Sequence, residues 1–200
     1  MTLTVVGRWR VEAGEEDVAI AAARQELEAR GGQPAARREA HVFQAIDDPG
    51  TLLYVGEWAD RAAFELYRSQ RGPDIVEAAF RQRGEYVICE RLVFFGRFAY
   101  RARVVACGII EAPLESSEAV RQLVVPSGKW TMHGWPGMVH YTVFREITHT
   151  HRYVIVHGWQ SEADLKAFRE ERVEFRDMLD RVGARLIQFT GRERASTDLY

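Results

Sequence analysis

An internal repeat is the feature that most constrains how this 200-residue chain folds. When the sequence is compared with itself at an offset of 101 positions, residues 41–68 align with residues 142–169 without a gap. Seven of the 28 aligned pairs are identical, whereas chance pairing would give about two. The identical pairs are Val42/Val143, Phe43/Phe144, Ile46/Ile147, Val55/Val156, Trp58/Trp159, Ala62/Ala163 and Arg68/Arg169. Because a tryptophan recurs at the same point of the pattern, we interpret the repeat as two copies of one unit and not as two similar amphipathic segments.

The first copy shows a βαββαβ order of predicted elements. Strands are indicated by apolar, β-branched and aromatic runs, and helices by acidic first turns and by glycine or proline at their ends. The predicted elements are a strand over 3–11, a helix from 14 to 31, strands over 37–46 and 51–58, a helix over 60–68 with a second segment over 74–83, and a strand from 85 to 95. This order is typical of the ferredoxin-like arrangement.

The second copy follows the same order with one predicted insertion. Its predicted elements are a strand over 103–110, a shorter helix from 116 or 117 to 125, an irregular loop over 126–137, strands over 138–148 and 152–159, a helix after Ser161, and a strand over 185–190. The predicted domains are therefore repeat 1 over 1–100, repeat 2 over 101–195 with the inserted loop, and a tail over 196–200.

Both faces of the predicted hairpin strands are apolar. In the first copy Tyr54 and Trp58 point to one face, while Leu53 and Val55 point to the other. Near-continuous apolar strands are typical of sheets that are covered on both sides. We therefore predict an α+β fold in which the two ferredoxin-like repeats pack sheet to sheet, so that the chain is its own dimer. This intramolecular pseudo-dimer leaves further homo-oligomerisation open.

Composition excludes several classes of function. The 27 basic and 29 acidic residues nearly cancel, so we expect no nucleic-acid partner. No apolar run approaches the length of a membrane span, so we expect no membrane partner. The two cysteines, Cys89 and Cys107, lie within apolar strands and favour the reducing cytoplasm. Asparagine is absent, and no glycine-rich nucleotide-binding loop is present, so no bound cofactor is predicted.

The segments 54–68 and 157–169 resemble the antibiotic biosynthesis monooxygenase family of the dimeric α/β-barrel superfamily. They read Tyr-Val-Gly-Glu-Trp-Ala-Asp-Arg-Ala-Ala-Phe-Glu-Leu-Tyr-Arg and His-Gly-Trp-Gln-Ser-Glu-Ala-Asp-Leu-Lys-Ala-Phe-Arg, the strand, tryptophan and helix signature of that family. The resemblance implies a cofactor-independent monooxygenase that oxidises a phenol, quinol or anthrone with O2. The alternative is a non-catalytic ligand-binding or stress-related barrel.

The resemblance departs from the family pattern in its polar residues. Where the family often has a histidine nine residues after the tryptophan, this chain has Tyr67 and Phe168. Haem-degrading and anthrone-oxidising members also use an asparagine, which this chain lacks. The sequence therefore disfavours haem degradation, and it favours a family-type pocket with a different set of polar groups.

His157 is the predicted catalytic base, with His140 as its alternative. Oxygenation of a phenol without a cofactor needs a base, an apolar cavity and a donor for the developing oxyanion. His157 lies in the middle of a strand, on the face shared by Tyr153 and Trp159, and it replaces Gly56 of the first copy. A buried histidine that only satisfies a backbone carbonyl is the alternative.

The remaining predicted site residues are aromatic or basic. Each also has a structural explanation: core packing for the tryptophans, a surface ion pair for the arginine, and filling of a gap for the aromatic residues of the loop. The predicted substrate-binding residues are Trp159, Tyr153, Trp58, Tyr54, Tyr67, Arg169, Trp130, Trp135 and His133. His149 and His151 form a His-x-His pair at a hairpin turn, where solvated histidines are expected in preference to metal ligands, so no metal is predicted.

Overall fold

The structure is a computed structural model that describes residues 2–28, 37–71, 85–96 and 102–196. The first half of the chain contains β1 (Leu3–Arg10), α1 (Glu16–Glu28), β2 (Arg37–Ala45), β3 (Thr51–Trp58), α2 (Arg61–Arg71) and β4 (Glu85–Gly96). The second half contains β5 (Val104–Glu111), a 3₁₀ turn (Leu114–Ser116), α3 (Ser117–Gly134), β6 (Met138–Glu146), β7 (Arg152–Trp159), α4 (Glu162–Glu171), α5 (Val173–Arg181) and β8 (Arg185–Ser196). The predicted helical segment over 74–83 and the last four residues of the predicted tail lie outside the described residues.

The chain divides into two compact units. Unit one comprises residues 1–89 and 191–200, and unit two comprises residues 90–190. The divisions fall inside β4 and β8, so each of these strands contributes residues to both units. The units therefore differ from the predicted sequence repeats, 1–100 and 101–195, which remain an interpretation of the duplicated sequence.

Unit one is an antiparallel sheet with α1 packed on it. β1 pairs with β3, β3 pairs with β2, and β2 pairs with the last residues of β8. Apolar side chains of α1 lie against the sheet because they recur at helical spacing on one face. Ala23 and Leu27 contact Ala40 and Val42, and Ile20 contacts Leu52. This layer fills the space between helix and sheet.

Unit two has the same sheet plan with a different helical layer. β5 pairs with β7 and β7 pairs with β6, all antiparallel. The core between the sheet and the helices α3 and α5 is apolar. Its buried members are Ile110, Ala112, Val120, Val124, Tyr141, Val143, Tyr153, Ile155, Leu179 and Ala184. In the part of the chain that is described, no helix is both long and apolar enough to cross a membrane.

The 101-residue offset extends to the strand register. Leu3 pairs with Trp58 in unit one, and Val104 pairs with Trp159 in unit two. The irregularity in β2 between positions 37 and 39 recurs in β6 between positions 138 and 140, again 101 residues later. Because a slip of one residue would reverse every side chain, a shared register with a shared irregularity shows one unit built twice. The predicted α+β class with two ferredoxin-like copies is confirmed.

The predicted loop over 126–137 is wrong for most of its length. The helix that was predicted to end at about Val125 continues to Gly134 as α3, and it is longer than α1 of the first copy. Pro126 and Gly128 had indicated a stop. A proline inside a helix removes one hydrogen bond and disfavours the preceding turn, but it does not forbid continuation. Val120 and Val124, one turn apart, bury that face of the helix before the proline.

The predicted helix after Ser161 is two helices. Ser161 caps α4 as predicted, because its hydroxyl accepts the backbone N–H of Asp164 at 3.1 Å. α4 ends at Glu171, and α5 begins at Val173 after Arg172 leaves helical geometry with φ −105° and ψ 28°. Gly183, with φ +68°, follows the end of α5, where a left-handed residue is typical.

Candidate functional site

A cavity of about 290 Å³ lies within unit two, where side chains of the sheet face α4 and α5. Four strands, both helices and the residue between the helices contribute to it. The lining residues are Ala106, Cys107, Gly108, Tyr141, Ile155, His157, Phe168, Arg169, Arg172, Val173, Phe175, Arg176, Leu186 and Gln188. The volume lies near the lower end of the roughly 300–1,000 Å³ that is typical of ligand pockets. The cavity therefore suits a small ligand.

Strand alternation places the aromatic wall of the cavity. Tyr141 of β6 lies opposite His157 of β7, so both side chains emerge on the same face of the sheet. Their rings are nearly parallel, with centroids 6.1 Å apart. Phe168 of α4 approaches the His157 ring from the helical side, edge to face at 5.4 Å. A flat ring that enters the cavity therefore meets aromatic surfaces from both layers.

A hydrogen bond from Trp159 determines which nitrogen of His157 carries its proton. Trp159 Nε1–H donates to His157 Nδ1 at 2.6 Å. Because the indole N–H can only donate, Nδ1 must accept, and the proton of the neutral imidazole is therefore on Nε2. Trp159 is itself fully buried and packs on Phe168 at 4.9 Å. The neutral ring thus presents Nε2–H as a donor.

The surroundings of His157 keep its ring neutral. Burial, together with repulsion by His140, Arg169 and Arg172, lowers the pKa of His157 to about 3. At neutral pH the ring is uncharged and is a poor proton acceptor. A low pKa disfavours the predicted role of His157 as general base, and the arrangement suits hydrogen-bond donation.

Three arginines line the helical side of the cavity. Arg169 lies in the last turn of α4, Arg172 lies between the two helices, and Arg176 belongs to α5. Arg169 donates to the hydroxyl of Thr190, and Arg176 donates to Gln188 Oε1 at 3.2 Å. Sequence analysis identified Arg169 alone. Arg172 was not predicted as a site residue, because its position depends on the break between α4 and α5, and no glycine or proline in the sequence marks that break.

Tyr141 is a further lining residue that sequence analysis missed. Its hydroxyl donates to the backbone carbonyl of Val124 at 3.2 Å. Burial raises the pKa of Tyr141 well above its ordinary value, although the charge of Arg172 acts in the opposite direction. Tyr141 is therefore neutral and contributes its ring face. The strand register would have identified it, because it lies directly opposite His157.

The matching place in unit one is occupied by Tyr54. At the offset of 101 residues, Tyr54 and Gly56 correspond to Ile155 and His157. Tyr54 lies across Gly56 so closely that a Cβ at Gly56 would be 2.1 Å from the tyrosine Oη. Tyr54 also packs against the core beneath α1 and meets Trp9 edge-on at 5.8 Å. In unit two the corresponding residue is the smaller Ile155, which lines the cavity.

His140, the alternative predicted base, is not among the residues that line the cavity. It lies opposite Gly158 in the register, one position away from the pair of Tyr141 with His157, so its side chain emerges on the other face of the sheet. A Cβ at Gly158 would lie 2.5 Å from the His140 ring. His140 therefore does not face this cavity, and its role as the base stays a prediction.

Several other predicted wall residues do not line this cavity. Tyr153 is buried, and its hydroxyl donates to the Ser117 carbonyl at 2.9 Å, which ties β7 to the start of α3. Trp58 is buried in unit one and packs on Phe64 at 5.3 Å. Trp135 meets Phe168 edge-on at 5.3 Å and so supports the cavity from behind. The side chains of Tyr67, Trp130 and His133 lie outside the described residues.

The His-x-His pair lies at the hairpin turn, away from the cavity. The rings of His149 and His151 are 6.0 Å apart, and His149 Nδ1 is bonded to Glu146 Oε1 at 2.7 Å. Burial raises the pKa of Glu146, but hydrogen bonds from His149 and Thr148 and the charge of Arg152 outweigh it and hold that pKa below its usual range. Among the residues described, no group of three or more His, Cys, Asp or Glu side chains is arranged to hold a metal ion.

The fold and the site define a class: a duplicated ferredoxin-like α+β protein with an aromatic cavity between sheet and helices. The sequence model of the family described as "Antibiotic biosynthesis monooxygenase" matches residues 2–81 and 105–180, once in each copy. The chain therefore belongs to the antibiotic biosynthesis monooxygenase family. No curated protein matches the sequence.

Solved structures with the same fold are distant in sequence. The chain is similar to an anthrone oxidase-like protein, with 12% identity, a TM-score of 0.75, and coverage of 98% of this chain and 92% of that one. It is similar to a monooxygenase-like protein from Listeria innocua, with 13% identity, a TM-score of 0.58, and coverage of 94% and 92%. The heme-degrading enzyme of Listeria monocytogenes gives 11% identity, a TM-score of 0.55, and coverage of 94% and 98%. At these identities the likeness concerns the fold alone.

Proposed function

We propose that the chain binds a small aromatic phenol or quinol in the cavity of unit two and oxidises it with O2, without a bound cofactor, in the cytoplasm. The observation that supports this most directly is the lining of the cavity: the rings of Tyr141, His157 and Phe168 and the side chains of three arginines line the same space. Such a site holds a flat ring and favours its negatively charged form. Membership of the monooxygenase family supports the reaction type.

In an anthrone, the reaction converts the ring CH2 group to C=O: one oxygen atom of O2 enters the new carbonyl group, and the other leaves as water with the two hydrogens. In a quinol, one oxygen atom becomes a new ring hydroxyl group, the other leaves as water, and the ring is oxidised to the quinone. In both cases the substrate supplies all four electrons. The arginines lower the pKa of a bound phenol, because positive charge favours the phenolate that reacts with O2. His157 Nε2–H then donates a hydrogen bond to the oxyanion that develops.

Oxygen uptake by purified protein tests this function. Anthrone and 1,4-dihydroxynaphthalene are supplied as substrates, with a metal chelator present throughout. We expect uptake, and we expect His157→Ala to reduce its rate about tenfold or more, because one oxyanion donor typically contributes a factor of about 10²–10³. His151→Ala, which changes a histidine at the hairpin turn, is the matched control. Uptake that is unchanged in His157→Ala would remove His157 from the site.

A non-catalytic ligand-binding role is the second candidate. The low pKa of His157 favours it, since no described lining residue is then a good base at neutral pH. In that case the aromatic compounds bind without consuming oxygen. A haem titration that produces no Soret shift is expected under both candidates, and a shift that His157→Ala abolishes would contradict both.

A further inference from the structure

We propose that the ligand of the unit-two cavity is a small aromatic carboxylate, with its ring between Tyr141 and Phe168 and its carboxylate held by Arg172 and Arg176. The inference deepens the proposed function, on which it rests for the aromatic nature of the ligand, and it names a charged group that oxidation itself does not require. The evidence is the distribution of charge and the size of the cavity.

The charges on the cavity wall have one sign. Arg169, Arg172 and Arg176 all line it, and no aspartate or glutamate is among the described lining residues. The other polar groups of the wall are His157, Tyr141, Cys107 and Gln188, of which the first two are held neutral by burial. Three guanidinium groups beside apolar surface and neutral polar groups favour an anionic ligand.

Each of the three arginines contacts an uncharged group of the described structure. Arg169 is bonded to the Thr190 hydroxyl, Arg176 is bonded to the Gln188 amide oxygen, and Arg172 lies over the Phe168 ring at 5.5 Å. These contacts help to orient the three side chains. The positive charge also acts inside the cavity, since Arg169 and Arg172 both contribute to the low pKa of His157, after burial and His140.

Carboxylate is the anion that fits best. A guanidinium group presents parallel N–H donors that match the two oxygens of a carboxylate, whereas a phenolate offers one oxygen. Arg172 also stacks on Phe168, so a carboxylate bound to Arg172 would place the ring of the ligand close to the aromatic wall. The volume of about 290 Å³ favours a ring system of modest size.

Calorimetric titration with a matched pair of probes tests the carboxylate. 3-Hydroxy-2-naphthoate and 3-hydroxy-2-naphthamide share ring and hydroxyl and differ in charge. We expect the acid to bind about tenfold more tightly than the amide, because its carboxylate gains a charge-assisted hydrogen bond. We also expect added salt to weaken binding of the acid. We expect Arg172→Gln and Arg176→Gln each to weaken binding of the acid about fivefold or more and to leave binding of the amide unchanged.

Controls keep the result specific. Arg181→Gln removes an exposed arginine from the last turn of α5 and is expected to change neither affinity. Arg176→Lys keeps the charge but loses the fork, so we expect it to recover part of the acid affinity. Equal affinities for acid and amide, absence of binding by both, or full retention of acid affinity in both glutamine variants would overturn the proposal.

Oxygen uptake from 1,4-dihydroxy-2-naphthoate and from its methyl ester separates the two proposals. If the protein binds the acid more tightly than the amide but consumes no oxygen, the result supports the carboxylate site and contradicts the oxygenation. If it consumes oxygen with both quinols but binds acid and amide equally, the result supports the oxygenation and contradicts the carboxylate site.

Discussion

At the scale of single residues, the bond from Trp159 to His157 decides the chemistry that the cavity offers. We predict that nitrogen NMR of the wild-type protein shows His157 protonated at Nε2 and unprotonated at Nδ1, because the indole N–H occupies Nδ1. Trp159→Phe removes that donor. We expect it to mix the two tautomers, and to reduce the free energy of unfolding by about 1–3 kcal/mol for the buried indole that is lost.

The first copy supplies a control for this variant. Trp58→Phe changes the corresponding tryptophan, which is also buried but stands two residues after Gly56 in place of a histidine. It should reduce stability to a similar extent and leave the His157 spectrum as in the wild type. A wild-type His157 that is protonated at Nδ1 would contradict the assigned bond.

His157 also makes stability depend on pH on the acid side. Its folded pKa of about 3 lies below its ordinary value, so the unfolded chain binds the proton more readily as pH falls from about 6.5 to 3. Folding stability attributable to this residue is therefore lost in that window. We expect His157→Phe to lose about 1–2 kcal/mol less than the wild type between pH 7 and pH 4 in urea denaturation. Equal losses of unfolding free energy in the wild type and in His157→Phe would contradict the low pKa of His157.

The pKa of His41, in unit one, is shifted in the opposite direction to that of His157. Burial lowers its pKa, but the hydrogen bonds that the ring donates to Glu193 at 2.6 Å and to Glu39 at 2.8 Å outweigh burial, and the pKa is raised overall. Its stabilising contribution is complete below the unfolded pKa and is lost as pH rises through the folded pKa. We expect Glu193→Gln to flatten the fall in melting temperature between pH 6 and pH 9.

Glu90→Gln is the control for that measurement. Glu90 pairs with Arg145, and this ion pair contains no histidine, so this change should lower the melting temperature equally at both pH values. A Glu193→Gln protein that keeps the wild-type dependence on pH would show that His41 does not carry a proton held by its two carboxylates.

At the scale of elements, α3 is the clearest departure from the sequence-based expectation. Because Pro126 lies inside this helix, we predict that Pro126→Ala raises the free energy of unfolding by about 1–3 kcal/mol and increases the helical circular dichroism signal. Pro113→Ala changes a proline just before the 3₁₀ turn, where its φ of −57° suits the ring, and should have little effect or be slightly destabilising. A neutral or destabilising Pro126→Ala would indicate a loop.

The sequence was sufficient to predict the elements with strong local signals. The hairpin strands, the cap at Ser161 and the glycine after α5 were all predictable, because alternation, capping and positive φ each restrict the residue types allowed. The continuation of α3 past Pro126 and the break at Arg172 were not, since tertiary packing decides both against local propensity. The site depends on that break, and this is why Arg172 was missed.

At the scale of the whole molecule, the two copies share one register and differ at the positions beside the cavity. The register of both sheets is preserved at an offset of 101 residues, while Tyr54 and Gly56 of the first copy correspond to Ile155 and His157 of the second. The histidine in place of glycine was visible in the sequence and indicated the second copy. The space beside His157 could not be predicted, because the sequence does not show that the Tyr54 ring covers Gly56 at the corresponding place of the first copy.

A crystal structure with bound 3-hydroxy-2-naphthoate tests most directly whether this cavity is the ligand site. The account predicts the naphthalene ring beside Tyr141, His157 and Phe168, with the carboxylate within hydrogen-bond distance of Arg172 or Arg176. A ligand bound beneath α1, in the space that Tyr54 fills, would contradict the account. Crystals grown at a saturating ligand concentration that show no bound ligand would also contradict it.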